Sequence, residues 1–176
     1  VLRLAADAVG YSHAAESDEA RALQALSNSR RLIDPLIQTY GGRIFNTAGD
    51  SVLAEFRSAD EAVRCGLRLQ QELRAADSAE ALFGFRIGIS AGEVVAEGGD
   101  LLGGTVNLAA RLEAIAPAGG ICISGAAHEA AAGEGAEEWQ DLGLRYLKNF
   151  SRAVRVFRFY PPIAGSLPGV AEAGKP

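Results

Sequence analysis

The chain has no methionine, two cysteines, two histidines and a single tryptophan in 176 residues. Two cysteines, Cys65 and Cys122, are too few for a disulfide framework. Each sits in an apolar stretch and reads as a buried small hydrophobe in a reducing compartment. His13 and His128 lie far apart, with no cysteine or carboxylate at ligand spacing, which argues against a His/Cys zinc centre. There is no basic excess either. Lysine plus arginine number 17 against 22 aspartates and glutamates, a net charge of −5. That balance argues against broad nucleic-acid binding, which needs a cationic surface. No apolar run approaches the roughly 20 residues that span a bilayer, and no signal peptide opens the chain. A cytoplasmic location is expected, with any membrane tether outside this segment. The start at Val1 without methionine suggests a removed initiator or a domain excised from a longer protein.

What is present is a core-forming composition: 48% hydrophobic and 22% charged residues. This is too apolar for disorder and suits one domain with one sizeable core. Residues 1–9 read as a strand ending in a Gly10-Tyr11-Ser12 turn. A helical stretch over 18–40 carries Leu23, Leu26, Ile33, Ile37 and Tyr40 at three-to-four spacing. Pro35 is expected to kink it or start a new helix, and Gly41-Gly42 to end it. Strands at 43–47 and 51–56 flank Ala48-Gly49-Asp50, a hairpin turn. Ser58 and Glu61 form a capping box that opens a helix to about Ala76. A strand pair is expected over 84–97, then a glycine-rich loop at 98–104 and a helix from about Thr105 to Ile115. A short strand (121–124), a helix capped by Ser124 and a terminal strand pair near 139–147 and 153–160 complete the order. Hairpins alternating with helices predict an α+β fold, a mixed sheet with packed helices, over residues 1–160. Residues 161–176 read as a linker or disordered tail.

Few residues here carry obvious chemistry. Asp7 closes the first strand and Asp50 sits in the hairpin turn, so neighbouring strands would bring both carboxylates to one sheet edge. Paired carboxylates without histidine suit Mg²⁺ or Mn²⁺. Asp is equally an ordinary turn residue. Asn107 and Arg111 stand four apart on the helix, off the stripe of Leu108, Leu112 and Ile115. An amide beside a guanidinium can hold a ribose and a phosphate oxygen, although a solvated face gives the same pattern. Arg86 is a charge in an apolar strand, opposite Phe85, Ile87 and Ile89, placed to reach a sheet edge or an anion. Lys148 has the setting of a surface loop lysine. The glycine loop lacks Gly-Lys-Ser/Thr and is no P-loop.

Taken in order, ADAVGYS (6–12), GGRIFNTAGDSVLAEF (41–56), FRIGISAGEV (85–94), DLLGGTVNLAARLEA (100–114) and YLKNFSRAVRVFRF (146–159) resemble the catalytic domain of class III nucleotidyl cyclases, the adenylate/guanylate cyclase family. The resemblance implies a ferredoxin-like α+β fold and a head-to-tail homodimer with sites shared across the interface. It implies two divalent ions, Mg²⁺ or Mn²⁺, on Asp7, Asp50 and the Ala8 carbonyl. Asn107 and Arg111 match the transition-state pair, Arg86 and Lys148 the phosphate ligands, and Asp100 the residue that reads the base. Asn46 stands where adenylate cyclases of the family commonly carry a lysine. Asp100 can accept from the amino group of adenine and Asn46 can donate to its N1. Guanine would set its carbonyl against Asp100. ATP is therefore expected over GTP. The alternatives are a guanylate or mixed-specificity cyclase, and a catalytically silent domain used for nucleotide sensing or dimerisation. The retained charged set argues against silence.

Overall fold

The computed structural model describes residues 2–80, 83–92, 104–131 and 138–160. Strand β1 (Leu2–Ala8) leads through Gly10 into α1 (Tyr11–Ser17) and α2 (Glu19–Thr39). The hairpin β2 (Arg43–Ala48) and β3 (Ser51–Phe56) follows, then α3 (Ala59–Glu80) and β4 (Phe85–Ala91). Helix α4 (Gly104–Ile115), β5 (Ile121–Ser124), α5 (Gly125–Ala130), β6 (Trp139–Arg145) and β7 (Val154–Phe159) complete the order. The strands form one mixed sheet in the order β2-β3-β1-β4-β5-β7-β6, antiparallel except for the β4–β5 pair. The expected α+β architecture is the one observed. The partner strand expected within 93–97, the loop at 98–103 and the tail at 161–176 lie outside the described residues.

Strand alternation sorts side chains between the two faces. Leu4, Ala6, Ala8, Val52, Ala54, Phe56, Ile87 and Ile89 join Ile33, Ile37, Val63 and Leu69 of α2 and α3 in the main core. Fully burying one of the larger of these, a Val, Leu, Ile or Phe, is worth about 1.5–3 kcal/mol. The opposite face carries Ala5, Asp7, Arg86 and Gly88 and is covered by α4. There Leu108, Leu112 and Ala116 pack with Cys122, Leu147 and Val156 in a second cluster. Both cysteines are fully buried, and burial pushes the Cys65 thiol up to about 12 and the Cys122 thiol up to about 11.

Helix α2 runs through Pro35 as one element. Pro35 and Arg31, whose carbonyl loses its partner, are both exposed, so water can serve that oxygen while Ile33 and Ile37 stay fully buried. The expected Gly10-Tyr11-Ser12 turn opens α1, with Gly10 at φ 78° and Tyr11 edge-on to Phe83. Two apolar assignments change. Leu23 is exposed while Ala22 and Ser29 are buried, and Ile115 is exposed while Ala109 and Glu113 are buried. The two caps form as expected: the Ser58 hydroxyl accepts from the Glu61 amide at 3.2 Å, and the Ser124 hydroxyl from the Ala127 amide at 3.3 Å.

Candidate active site

Asp7 and Arg86 are direct register partners on β1 and β4, so their side chains leave the same face of the sheet. Asp50 enters from the β2–β3 turn, where Gly49 takes φ 57°. β3 lies beside β1, and this brings the Asp50 carboxyl close enough to Asp7 to act on its ionisation. The Ser51 hydroxyl lies 3.5 Å from Asp7 Oδ1. Burial, then the neighbouring Asp50, raise the Asp7 carboxyl from its ordinary 3.8 to about 7. Arg86 opposes that rise, with Nη2 at 3.8 Å from Asp7 Oδ2. Ala8, the last residue of β1, is buried beside them.

Gly88 lets α4 descend onto this face, its Cα facing the Ala109 carbonyl and the Glu113 amide. Moving along β4 from Gly88 to Arg86, the helix neighbours shift from Ala109 and Glu113 to Glu113 and Ala114. The C-terminal half of α4 therefore lies beside Asp7. Glu113 Oε1 approaches Arg86 Nε at 3.2 Å, and Arg86 Nη1 donates to the Ala114 carbonyl at 3.4 Å. Burial pushes the Glu113 carboxyl up, Arg86 draws it down and Asp50 adds to the rise. Neither Glu113 nor Ser51 was singled out by sequence reasoning. Glu113 carries a signal only in hindsight, as a charge at i+4 from Ala109 on the inward stripe.

The remaining candidates fall elsewhere in the same chain. Arg111 is half-buried and sits about 200° around α4 from Glu113, on the side away from the sheet. Asn107 occupies the position one turn earlier, about 9 Å up the axis from Glu113 at a rise of 1.5 Å per residue. Asn46 is exposed on edge strand β2, separated from β1 by β3 and hence about 10 Å away laterally. A register shift between Ile44 and Asn46 marks a bulge there. Lys148 is exposed on the loop after β6, which leaves the sheet at the end away from Asp7. Asp100 lies outside the described residues. The structure thus brings Asp7, Asp50 and Arg86 together and sets Asn46, Arg111 and Lys148 apart from them.

The sequence matches the adenylate and guanylate cyclase catalytic domain over residues 4–151. This chain belongs to that family. A Rhizobium meliloti protein provisionally assigned as adenylate cyclase 3 is 39% identical over 162 residues, 90% of this cyclase domain and 28% of that protein. An adenylate cyclase of Streptomyces griseus is 34% identical over 122 residues, 69% of this chain and 30% of its own. The domain therefore spans less than a third of the length of these curated relatives. A crystal structure of an adenylate/guanylate cyclase/hydrolase from Silicibacter pomeroyi superposes with a TM-score of 0.79 at 42% identity, covering 92% of this chain and 96% of that one. No helix among the described residues is long and apolar enough to cross a membrane.

Cyclases of this family generally depend on divalent metals, and the residues of this cyclase domain fit such an ion. Among the described residues no group of three or more His, Cys, Asp or Glu side chains forms a closed cage. A hard divalent ion needs no such cage, because one or two carboxylates plus substrate phosphates suffice. Two facing carboxylates, one raised to about 7 despite Arg86 at 3.8 Å, are a negative pair only partly compensated, which a cation would relieve.

The metal-free protein should report that strain. Between pH 4 and 7 the folded state holds the Asp7 proton that the unfolded chain has lost. Metal-free stability therefore falls as pH rises through this window, and the penalty is complete above about 7. Asp7→Asn should raise the melting temperature in EDTA at pH 8 and change it little at pH 4. An equal shift at both pH values would remove the Asp7–Asp50 repulsion from consideration.

Proposed function

We propose that this domain is an adenylate cyclase that converts ATP to 3′,5′-cyclic AMP and pyrophosphate for intracellular signalling, working as a homodimer. The observation that carries the reading is the convergence of Asp7, Asp50 and Arg86 on one sheet face of a chain in this family. In the reaction the ribose 3′-oxygen attacks the α-phosphorus, the α–β phosphoanhydride bond breaks, the hydroxyl proton departs and pyrophosphate leaves. Two divalent ions, Mg²⁺ or Mn²⁺, would lower the pKa of the 3′-hydroxyl and neutralise the leaving pyrophosphate. Asp7, Asp50 and the Ala8 carbonyl would hold them.

The other roles are those that the resemblance to the family implies, and the residue types suit them. Arg86 and Lys148 bind the β- and γ-phosphates through charge-assisted hydrogen bonds. Asn107 orients the ribose, and Arg111 meets the charge that develops on the α-phosphate. Asp100 accepts from the adenine amino group and Asn46 donates to N1. Asn46, Arg111 and Lys148 lie too far from Asp7 within one chain, so a second copy supplies them, giving two equivalent sites under two-fold symmetry. Arg86, Arg111, Lys148 and the bound cations would make a local positive pocket on a protein of net charge −5.

Incubation with Mn²⁺ and ATP, and separately GTP, tests this. Cyclic AMP is expected to form faster than cyclic GMP. Faster cyclic GMP formation would reverse the base assignment. No cyclic product from either nucleotide, in protein shown to be dimeric, would leave a silent nucleotide-sensing domain.

A further inference from the structure

Glu113 is the only charged residue among the described ones that is buried, at 8% exposure. A buried carboxylate is costly unless paired. Among the described residues its ion-pair partner is Arg86, with Nε at 3.2 Å. Neither Glu113 Oε1 nor Arg86 Nε has an aligned hydrogen-bond partner among the described residues, so the attraction between them is electrostatic. The same guanidinium stands 3.8 Å from Asp7 Oδ2 and donates to the Ala114 carbonyl at 3.4 Å. Arg86 therefore lies between two carboxylates and closer to the one on the helix. Without the helix carboxylate, the favourable move for Arg86 is onto Asp7. A close Arg86–Asp7 pair would neutralise the carboxylate that a divalent ion needs and withdraw the guanidinium from phosphate.

We propose that Glu113 is a positioning residue that holds Arg86 back from Asp7, leaving Asp7 free for a divalent cation and Arg86 Nη2 available to nucleotide phosphate. This rests on the cyclase site proposed above. Gly88 is part of the device, because only a glycine there lets α4 come close enough for Glu113 to reach Arg86.

The test measures Mn²⁺ binding by electron paramagnetic resonance in the presence of 3′-deoxyATP, which lacks the attacking hydroxyl. E113Q is expected to weaken Mn²⁺ binding about tenfold, the scale on which one nearby opposite charge shifts a carboxylate. In an R86Q background the same substitution should change Mn²⁺ binding less than about twofold, since its effect passes through Arg86. E113D shortens the reach by one methylene and should give a weaker version of the same pattern, which serves if E113Q does not fold. Equal weakening in both backgrounds would overturn the inference, because Glu113 would then act on the metal directly or through folding. So would unchanged Mn²⁺ binding in folded E113Q protein. If D7N binds Mn²⁺ as well as wild type does, the site reading itself fails, and the inference with it.

Discussion

Co-expressed chains carrying Asp50→Ala and Arg111→Ala should recover about a quarter of wild-type activity, although each variant alone is nearly inactive. Statistical pairing makes half of the dimers mixed, and two-fold symmetry gives each mixed dimer one intact site, hence about a quarter. The expectation comes from the division of the charged residues within one chain. Asp7, Asp50 and Arg86 meet at one end of β1 and β4. Arg111 faces away from the sheet on α4, and Lys148 leaves β6 at the opposite end. No side-chain rotation brings these groups together in a monomer. Each single variant should lose about 10²–10³-fold in kcat or more, the usual effect of removing a group that meets transition-state charge. Parental activities that merely add in the mixture, with mixed dimers demonstrated, would place both residues in the same chain's site.

Replacing Gly88 by alanine should be the most damaging single change to the fold. A Cβ there would lie 2.1 Å from the Ala109 carbonyl oxygen and 2.3 Å from the Glu113 nitrogen, both backbone atoms that cannot swing aside. α4 would have to lift from β4 as a body, opening the cluster of Leu108, Leu112 and Cys122 beneath it. Overpacking typically costs about 1–3 kcal/mol and more where backbone is involved, so about 3 kcal/mol is expected. For a chain of this size that lowers the melting temperature by about 6–12 °C. Activity should fall further than stability, because the same lift carries Glu113 from Arg86 and moves Arg111. A Gly88→Ala protein with wild-type melting temperature and activity would show that α4 does not sit on Gly88 in solution. By contrast, Gly49→Ala meets no neighbour within 4 Å, and its cost is confined to a turn backbone at φ 57°.

Much of this was legible along the chain because it depends on neighbours in sequence. Alternation in FRIGIS places Ile87 and Ile89 in the core and Arg86 and Gly88 opposite, and the structure bears that out. The caps at Ser58 and Ser124 need only the next three residues. Where reading failed, a distant surface decided. Leu23 fits the helical period but is exposed, with no described element covering it, whereas Ser29 at 0% exposure lies where the helix packs. Ile115 completes an apolar triplet in sequence, yet the close approach at Gly88 turns the Ala109–Glu113 stripe inward instead. Pro35 breaks helices locally, but here the Arg31 carbonyl that it leaves without a helix partner belongs to an exposed residue, and the buried Ile33 and Ile37 keep the helix in one piece.

Two histidines and two cysteines already point to oxygen chemistry, and the strand and turn residues already offer two carboxylates for it. The sequence by itself determined the residue types, the strand faces and the family. Only the tertiary structure decided which charges meet. Asp7 and Asp50 are 43 positions apart and Arg86 and Glu113 are 27 apart, so strand order and the seating of α4 set their distances. Electrostatics falls off over a few ångströms, and such short separations arise from packing between elements rather than from spacing along the chain.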